Sequence, residues 1–182
     1  MGYEIRISGE GGQGVILAGI ILAEAAIADG KHVAQTQAYG PESRGGATKS
    51  EVIISDREIE YPKATRLDLL LAFTQEACDK HREDLKDGGL LLVEASRVAT
   101  VPEGRHLVYR LPFVATARDT AGKALAANVV ALGALAALSG VVSPEALERA
   151  VLARAPKPIE EQNLRALAAG FELVGTPQRV PK

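Results

Sequence analysis

Two short stretches of this 182-residue chain hold the residue types that could do chemistry. The first, Gly9-Glu10-Gly11-Gly12-Gln13-Gly14, lies between an alternating run and an apolar run and formally matches G-x-G-x-x-G. Glycines there let backbone N–H groups close on an anion, and a helix starting behind them adds about half a positive charge. The same glycines would equally serve a tight turn that lets an apolar helix approach a sheet. Use of NAD by this chain alone fits poorly. Gln35, Thr36 and Gln37 stand where an acid would be needed to hold the two ribose hydroxyls. The second stretch is Tyr39-Gly40-Pro41-Glu42-Ser43-Arg44-Gly45-Gly46. It sets an aromatic ring, a carboxylate, a hydroxyl and a guanidinium among glycines and a proline that fix the backbone. Arg44 could fork a carboxylate or a phosphate. The alternative is an ordinary surface turn with one solvated ion pair.

Other candidates are weaker. His32, His81 and His106 show no ligand spacing and read as surface or packing histidines. Cys78 reads as a small buried hydrophobe and Asp68 as a structural strand-end group. Asn128, alone in an apolar run, must find hydrogen-bond partners if buried, as a structural pin or as part of a site. No Ser/His/Asp set, carboxylate pair or HExxH motif stands out, so no self-contained catalytic apparatus is visible. A single cysteine excludes an intramolecular disulfide framework, and an iron–sulfur cluster held by this chain alone would need about four ligands. With 21 basic against 23 acidic side chains, the chain lacks the basic excess that nucleic-acid binding requires.

The elements that must position these stretches follow from periodicity. Tyr3 to Ser8 alternates as a strand, and Val15 to Ala28 is apolar almost all round, so that helix must be covered almost all round. Lys31 to Gln37 reads as the second strand of a βαβ unit, which places both glycine stretches at one carboxyl edge of a sheet. Thr48 to Ser55 and Glu58 to Tyr61 read as a hairpin around Asp56-Arg57, stopped by Pro62. Leu67 to Phe73, Leu90 to Glu94 and His106 to Leu111 are further strands, with a helix over Thr74 to Leu85 and a turn at Gly88-Gly89. Ala121 to Leu138, a helix opened by Ser143-Pro144-Glu145, and Ile159 to Phe171 make the last third helical. The apolar run within Ala124 to Leu138 falls short of the roughly 20 residues of a membrane span. The start of the chain lacks the layout of a secretory signal. The expectation is an α/β fold, a three-layer α/β/α Rossmann-like domain with a mixed sheet over residues 1–175, followed by a frayed tail at 176–182.

The glycine loop at Gly9 to Gly14, the YGPESRGG block at Tyr39 to Gly46 and the run SEVIIS at Ser50 to Ser55 resemble the gamma subunits of 2-oxoacid:ferredoxin oxidoreductases. The block is most similar to the 2-oxoglutarate branch. Asn128 in its alanine-rich helix, Lys157 and Asn163 also fit, so the resemblance runs from about Ile5 to Gly175. It implies a cytoplasmic, multi-subunit oxidoreductase that joins a 2-oxoacid, coenzyme A and oxidised ferredoxin to give an acyl-CoA, carbon dioxide and reduced ferredoxin. It also implies that thiamine diphosphate, Mg and iron–sulfur clusters sit on alpha, beta and delta partner subunits, with no cofactor held by this chain alone and no nucleic acid or membrane partner. An oligomer is expected. Carried over by motif, Gly9, Gly11, Gly12, Gln13 and Gly14 would form a loop facing the assembly. Tyr39, Gly40, Pro41, Glu42, Ser43, Arg44, Gly45 and Gly46 would form a second loop beside it, shaping the approach and helping to hold coenzyme A. Pyruvate, branched-chain and indolepyruvate relatives share this architecture. A standalone dinucleotide- or CoA-binding protein and a pure interaction module are the competing readings.

Overall fold

A computed structural model describes residues 2–40, 45–101 and 103–174. The chain runs β1 (Tyr3–Glu10), α1 (Val15–Ala28), β2 (His32–Tyr39), β3 (Ala47–Ser55), β4 (Leu67–Ala72), α2 (Gln75–His81), β5 (Leu85–Glu94), β6 (Leu107–Leu111), α3 (Phe113–Ala121), α4 (Ala127–Ser139), α5 (Pro144–Arg154) and α6 (Glu160–Glu172). One six-stranded sheet has the order β2-β3-β1-β4-β5-β6. Only β3 runs against its neighbours, pairing antiparallel with β1 and β2, so the sheet is mixed as the sequence implies.

The pairing corrects one expectation. Glu58 to Tyr61 forms no strand, and the hairpin is instead β2–β3, with Tyr39 opposite Thr48 and Gly40, Gly45 and Gly46 beyond that pair. The reason is edge availability: β3 is bonded along one side to β1 and along the other to β2, so a third strand finds no free backbone. β1 and β2 are parallel, yet β3 sits between them. The expected helix over Ala121 to Leu138 is likewise broken. Gly122, at φ 70°, ends α3, and a 3-10 turn at Ala124–Ala126 leads into α4. The helix expected to reach Leu85 stops at His81, followed by a 3-10 turn at Arg82–Asp84. Gly88 and Gly89 do not end a turn before β5 but lie inside it. Leu67 pairs with Leu85 and Leu69 with Leu90, so the residues between bulge out. Lys86 on that bulge grips Asp68 at 2.8 Å, giving Asp68 the structural role foreseen for it.

The two faces of the sheet are buried differently. On one face Ile5, Ile7, Val52, Leu69, Leu71 and Leu92 join α1, α3, α4, α5 and α6 in a single large core. Each such fully buried side chain is worth about 1.5–3 kcal/mol of transfer free energy. The other face carries a smaller core around Leu70, Leu91, Val93 and Cys78 of α2. Strand alternation turns Arg6 and Glu51 to that face, where Arg6 Nε donates to Glu51 at 2.8 Å and its guanidinium also reaches Asp84, His81 and the carbonyl of Ala64. Burial pushes the Glu51 carboxyl upward, but hydrogen bonds and charge from Lys49 and Arg6 outweigh it and leave the group below its ordinary range. Burial, reinforced by the Arg6 charge, drives His81 down to about 4, so this histidine is neutral in the folded chain. Burial also raises the Cys78 thiol. α1 and α2 leave the ends of β1 and β4 on opposite faces, and on the α1 side a crevice opens between the carboxyl end of β1 and the tip of the β2–β3 hairpin.

Candidate functional site

That crevice is built from the two stretches singled out by the sequence. β1 delivers Glu10 to a tight turn in which Glu10 N–H donates to Gln13 Oε1 at 2.7 Å and Gln13 N–H donates to Glu10 O at 3.2 Å. The Gln13 side chain therefore closes the turn on itself. Gly9 lies buried behind it, where a Cβ would fall 2.3 Å from Gln13 Oε1 and 3.0 Å from Phe73. The β2–β3 hairpin brings its tip to the same rim: Gly11 N–H donates to Gly46 O at 2.9 Å, and a Cβ on Gly11 would meet Gly45 N at 3.2 Å. In a dinucleotide fold the second glycine of the motif makes room for pyrophosphate. Here the hairpin backbone takes that room, a physical reason beside the missing acid against NAD use.

Gly12 is the open member. Its φ of 91° belongs to the left-handed region that favours glycine, and a Cβ there would meet nothing within 4 Å. Gly14, at φ 73°, is the N-cap of α1 and supplies no side-chain cap. The first intrahelical bond is Ala18 N–H to Gly14 O at 2.9 Å, which leaves the N–H groups of Val15, Ile16 and Leu17 to partners outside the helix. All three residues border a cavity of about 450 Å³ that is closed on the hairpin side by Tyr39, Gly40, Gly45 and Gly46. Tyr39 is 67% exposed on this lining. Glu10 is the only ionisable carboxylate among the described lining residues, and it meets Arg97 at 3.3 Å in an exposed pair worth little. The helix dipole and the uncapped amides at the start of α1 offer positive partial charge to an anion such as a phosphate, with Glu10 the one opposing charge among the described lining residues.

The structure thus brings Gly9, Gly11, Gly12, Gln13, Gly14, Tyr39, Gly40, Gly45 and Gly46 to one rim. Gly9 and Gln13 hold the turn from behind instead of facing the cavity. Pro41, Glu42, Ser43 and Arg44 lie outside the described residues, as does the expected tail. Sequence reading left Asn128 open between pin and site. It is buried in the first turn of α4, with Nδ2 donating to Gly14 O at 3.3 Å and Oδ1 accepting from Val129 N–H at 3.0 Å. It also forms the floor under Gly14, where a Cβ would fall 2.4 Å from Nδ2. The signal for it was present: one carboxamide in an otherwise apolar run. The uncapped amides of Val15 to Leu17 were legible only as a helix start behind the glycines, because their side chains are apolar.

Cys78 is buried in the second core, away from this rim. Among the described residues no three His, Cys, Asp or Glu side chains converge as a metal site. No described helix is long and apolar enough to cross a membrane.

Residues 4–173 match the family model for pyruvate ferredoxin/flavodoxin oxidoreductase. The chain is 48% identical over 176 residues to the 2-oxoglutarate synthase subunit KorC of Methanocaldococcus jannaschii, covering 95% of this chain and 94% of that protein. Its fold matches the crystal structure of a keto/oxoacid ferredoxin oxidoreductase gamma subunit from Geobacter sulfurreducens with TM-score 0.88 and 53% identity, over 95% of this chain and 96% of that one. It also matches the 2-oxoglutarate:ferredoxin oxidoreductase of Magnetococcus marinus with TM-score 0.86 and 25% identity, all of this chain corresponding to 33% of that longer one. Fold, extent and identity agree, and this chain belongs to the pyruvate ferredoxin/flavodoxin oxidoreductase family.

Proposed function

We propose that this chain is the gamma subunit of a 2-oxoglutarate:ferredoxin oxidoreductase, and that its glycine rim helps to hold coenzyme A against a reaction centre built by alpha, beta and delta subunits. The observation that carries this reading is the meeting of two sequence-distant glycine turns through Gly11 N–H and Gly46 O, which closes a cavity around the uncapped start of α1. Support for the substrate comes from relatives named 2-oxoglutarate synthase subunit and from the Magnetococcus marinus protein, which is described with 2-oxoglutarate, coenzyme A and succinyl-CoA bound.

In this reading the amides of Val15, Ile16 and Leu17 take phosphate oxygens, and Gly12 lets a phosphate approach the backbone without a Cβ in the way. Tyr39 offers a ring face to the nucleotide base, and Arg44, five residues on in the sequence, adds positive charge. When bound on the partner subunits, thiamine diphosphate supplies the carbanion chemistry and iron–sulfur clusters take the electrons to ferredoxin. This chain contributes positioning. The complex works in the cytoplasm, where a lone free thiol stays reduced.

The decisive experiment assembles the complex with and without this chain and follows CoA-dependent ferredoxin reduction by 2-oxoglutarate. Restoration of turnover on adding the chain, with no turnover by the chain alone, is the expected result. Undiminished turnover without it refutes the proposal. Arg44→Ala separates the remaining roles: turnover lost with assembly intact marks a ligand contact, and assembly lost marks an interface.

A further inference from the structure

The sheet ends in two edges of unlike chemistry. β6, at one edge, is five residues long, carries Arg110 and is followed at once by Pro112. A short length, a charge and a proline are common guards against another chain adding itself to an open ladder. β2, at the other edge, is eight residues long, with no proline and no Asp, Glu, Lys or Arg. It pairs with β3 residue for residue without a bulge, and among the described residues no strand pairs with its outer side. Gly40 N–H donates to Ala47 O at 2.6 Å, and antiparallel pairs alternate, so Ala38, Thr36, Ala34 and His32 bond inward to β3. Val33, Gln35, Gln37 and Tyr39 therefore turn their N–H and C=O groups beyond the edge of the sheet. Strand alternation sets the side chains of these four on the α1 face. There Val33 packs against the main core and Gln35 Nε2 donates to Ser50 Oγ at 3.0 Å.

The residues of β2 single out the strand that fits it. Ala34-Gln35-Thr36-Gln37-Ala38 reads the same in both directions about Thr36. Two antiparallel copies centred there set Gln35 opposite Gln37, Ala34 opposite Ala38 and Thr36 opposite itself, with Val33 opposite Tyr39 at the ends. Hydroxyl pairs and aromatic–β-branched pairs are favourable across strands, and facing carboxamides can exchange hydrogen bonds. The same register joins Val33 to Tyr39 and Gln35 to Gln37, so every outward N–H and C=O group of this stretch finds a partner. A charge near the centre would meet its own copy, and this strand carries none. We propose that β2 is the docking edge for a second copy of this chain, joined antiparallel about a two-fold axis at Thr36, so that two six-stranded sheets run on as one. The proposal stands whatever ligand the glycine rim holds.

The test is sedimentation of the full chain over a range of concentrations, together with oxidative trapping. Thr36→Cys sets two thiols on the axis, where a non-hydrogen-bonded pair holds Cα atoms about 4.5 Å apart, within disulfide reach. Gln35→Cys sets them two residues out of step, beyond the roughly 7 Å limit. Cys78 is buried and stays out of the reaction. Gln37→Pro deletes one outward N–H per copy and spares the bonds to β3. Expected are a dimer of the parent chain and a covalent dimer from Thr36→Cys but not from Gln35→Cys. Gln37→Pro should dimerise at least tenfold more weakly, with an unchanged circular dichroism spectrum. A parent chain that stays monomeric overturns the proposal and leaves the edge to another subunit. A dimer that Thr36→Cys fails to trap, that Gln35→Cys traps equally, or that Gln37→Pro leaves as tight as before overturns it too. If Gln37→Pro fails to fold, the two cysteine variants decide alone.

Discussion

At the crossing of α4 and α6, a Cβ on Gly133 would fall 2.4 Å from the Leu167 carbonyl oxygen, and one on Gly170 would fall 2.0 Å from that of Val130. At the carboxyl rim a Cβ on Gly12 would meet nothing within 4 Å. The interior uses glycine to bring two helix backbones together, and those positions are saturated with contacts. At Gly12 of the rim, glycine instead keeps a left-handed turn free of side chains, while Gly9, Gly11 and Gly14 of the same rim are packed against neighbours. Glycine thus serves close packing at the helix crossing and an open turn at Gly12. Interior changes should cost stability without altering binding, and a change at Gly12 should weaken binding more than folding.

The largest effect expected in the interior is acid destabilisation through His81. Its folded value of about 4 lies below the 6.5 of an unfolded histidine, so the unfolded chain binds more protons between those values. Stability from the neutral buried ring is fully present above about pH 6.5 and drains away as pH falls to about 4, by as much as about 3 kcal/mol. Denaturant unfolding across this range should show that slope, and His81→Gln should flatten it. An unchanged slope in the variant would remove His81 from the account.

Gly170→Ala comes next. Alanine gains up to about 1 kcal/mol in helix propensity, but the crossing must open against backbone on the opposite helix. Overpacking of this kind typically costs 1–3 kcal/mol and can exceed that. A net loss of about 2 kcal/mol is expected, seen as a drop in Tm of roughly 4–8 °C for a chain of this size. Coenzyme A affinity per folded molecule should not change.

Gly12→Ala inverts the pattern. The left-handed backbone costs about 1 kcal/mol in stability, whereas coenzyme A binding should weaken about tenfold, equal to about 1.4 kcal/mol. Binding that stays intact in this variant would erase the distinction between the two regions. The smallest effect belongs to Arg97→Ala. Its exposed pair with Glu10 should be worth less than about 0.5 kcal/mol by thermal melting.

Sequence alone settled whatever depends on neighbours along the chain. The strand, glycine turn and apolar helix at residues 3 to 28 follow from a period of two, a run of glycines and an unbroken apolar stretch; the helix appears at the expected bounds, and the strand runs two residues further, through Glu10. The Ser143 cap and Pro144 start of α5 were equally local, with Ser143 Oγ accepting from Ala146 N–H at 3.2 Å. Only tertiary structure decided the partners. The alternation at Glu58 to Tyr61 was compatible with a strand, yet β3 was already bonded on both sides. Nothing in the run from Ala121 to Leu138 foretold that Asn128 would reach Gly14, 114 residues earlier. Local periodicity reflects the geometry of one backbone segment, but pairing and crossing are set by which surfaces the whole chain can bury together. For that reason the two glycine turns were legible as motifs, and the cavity between them was not.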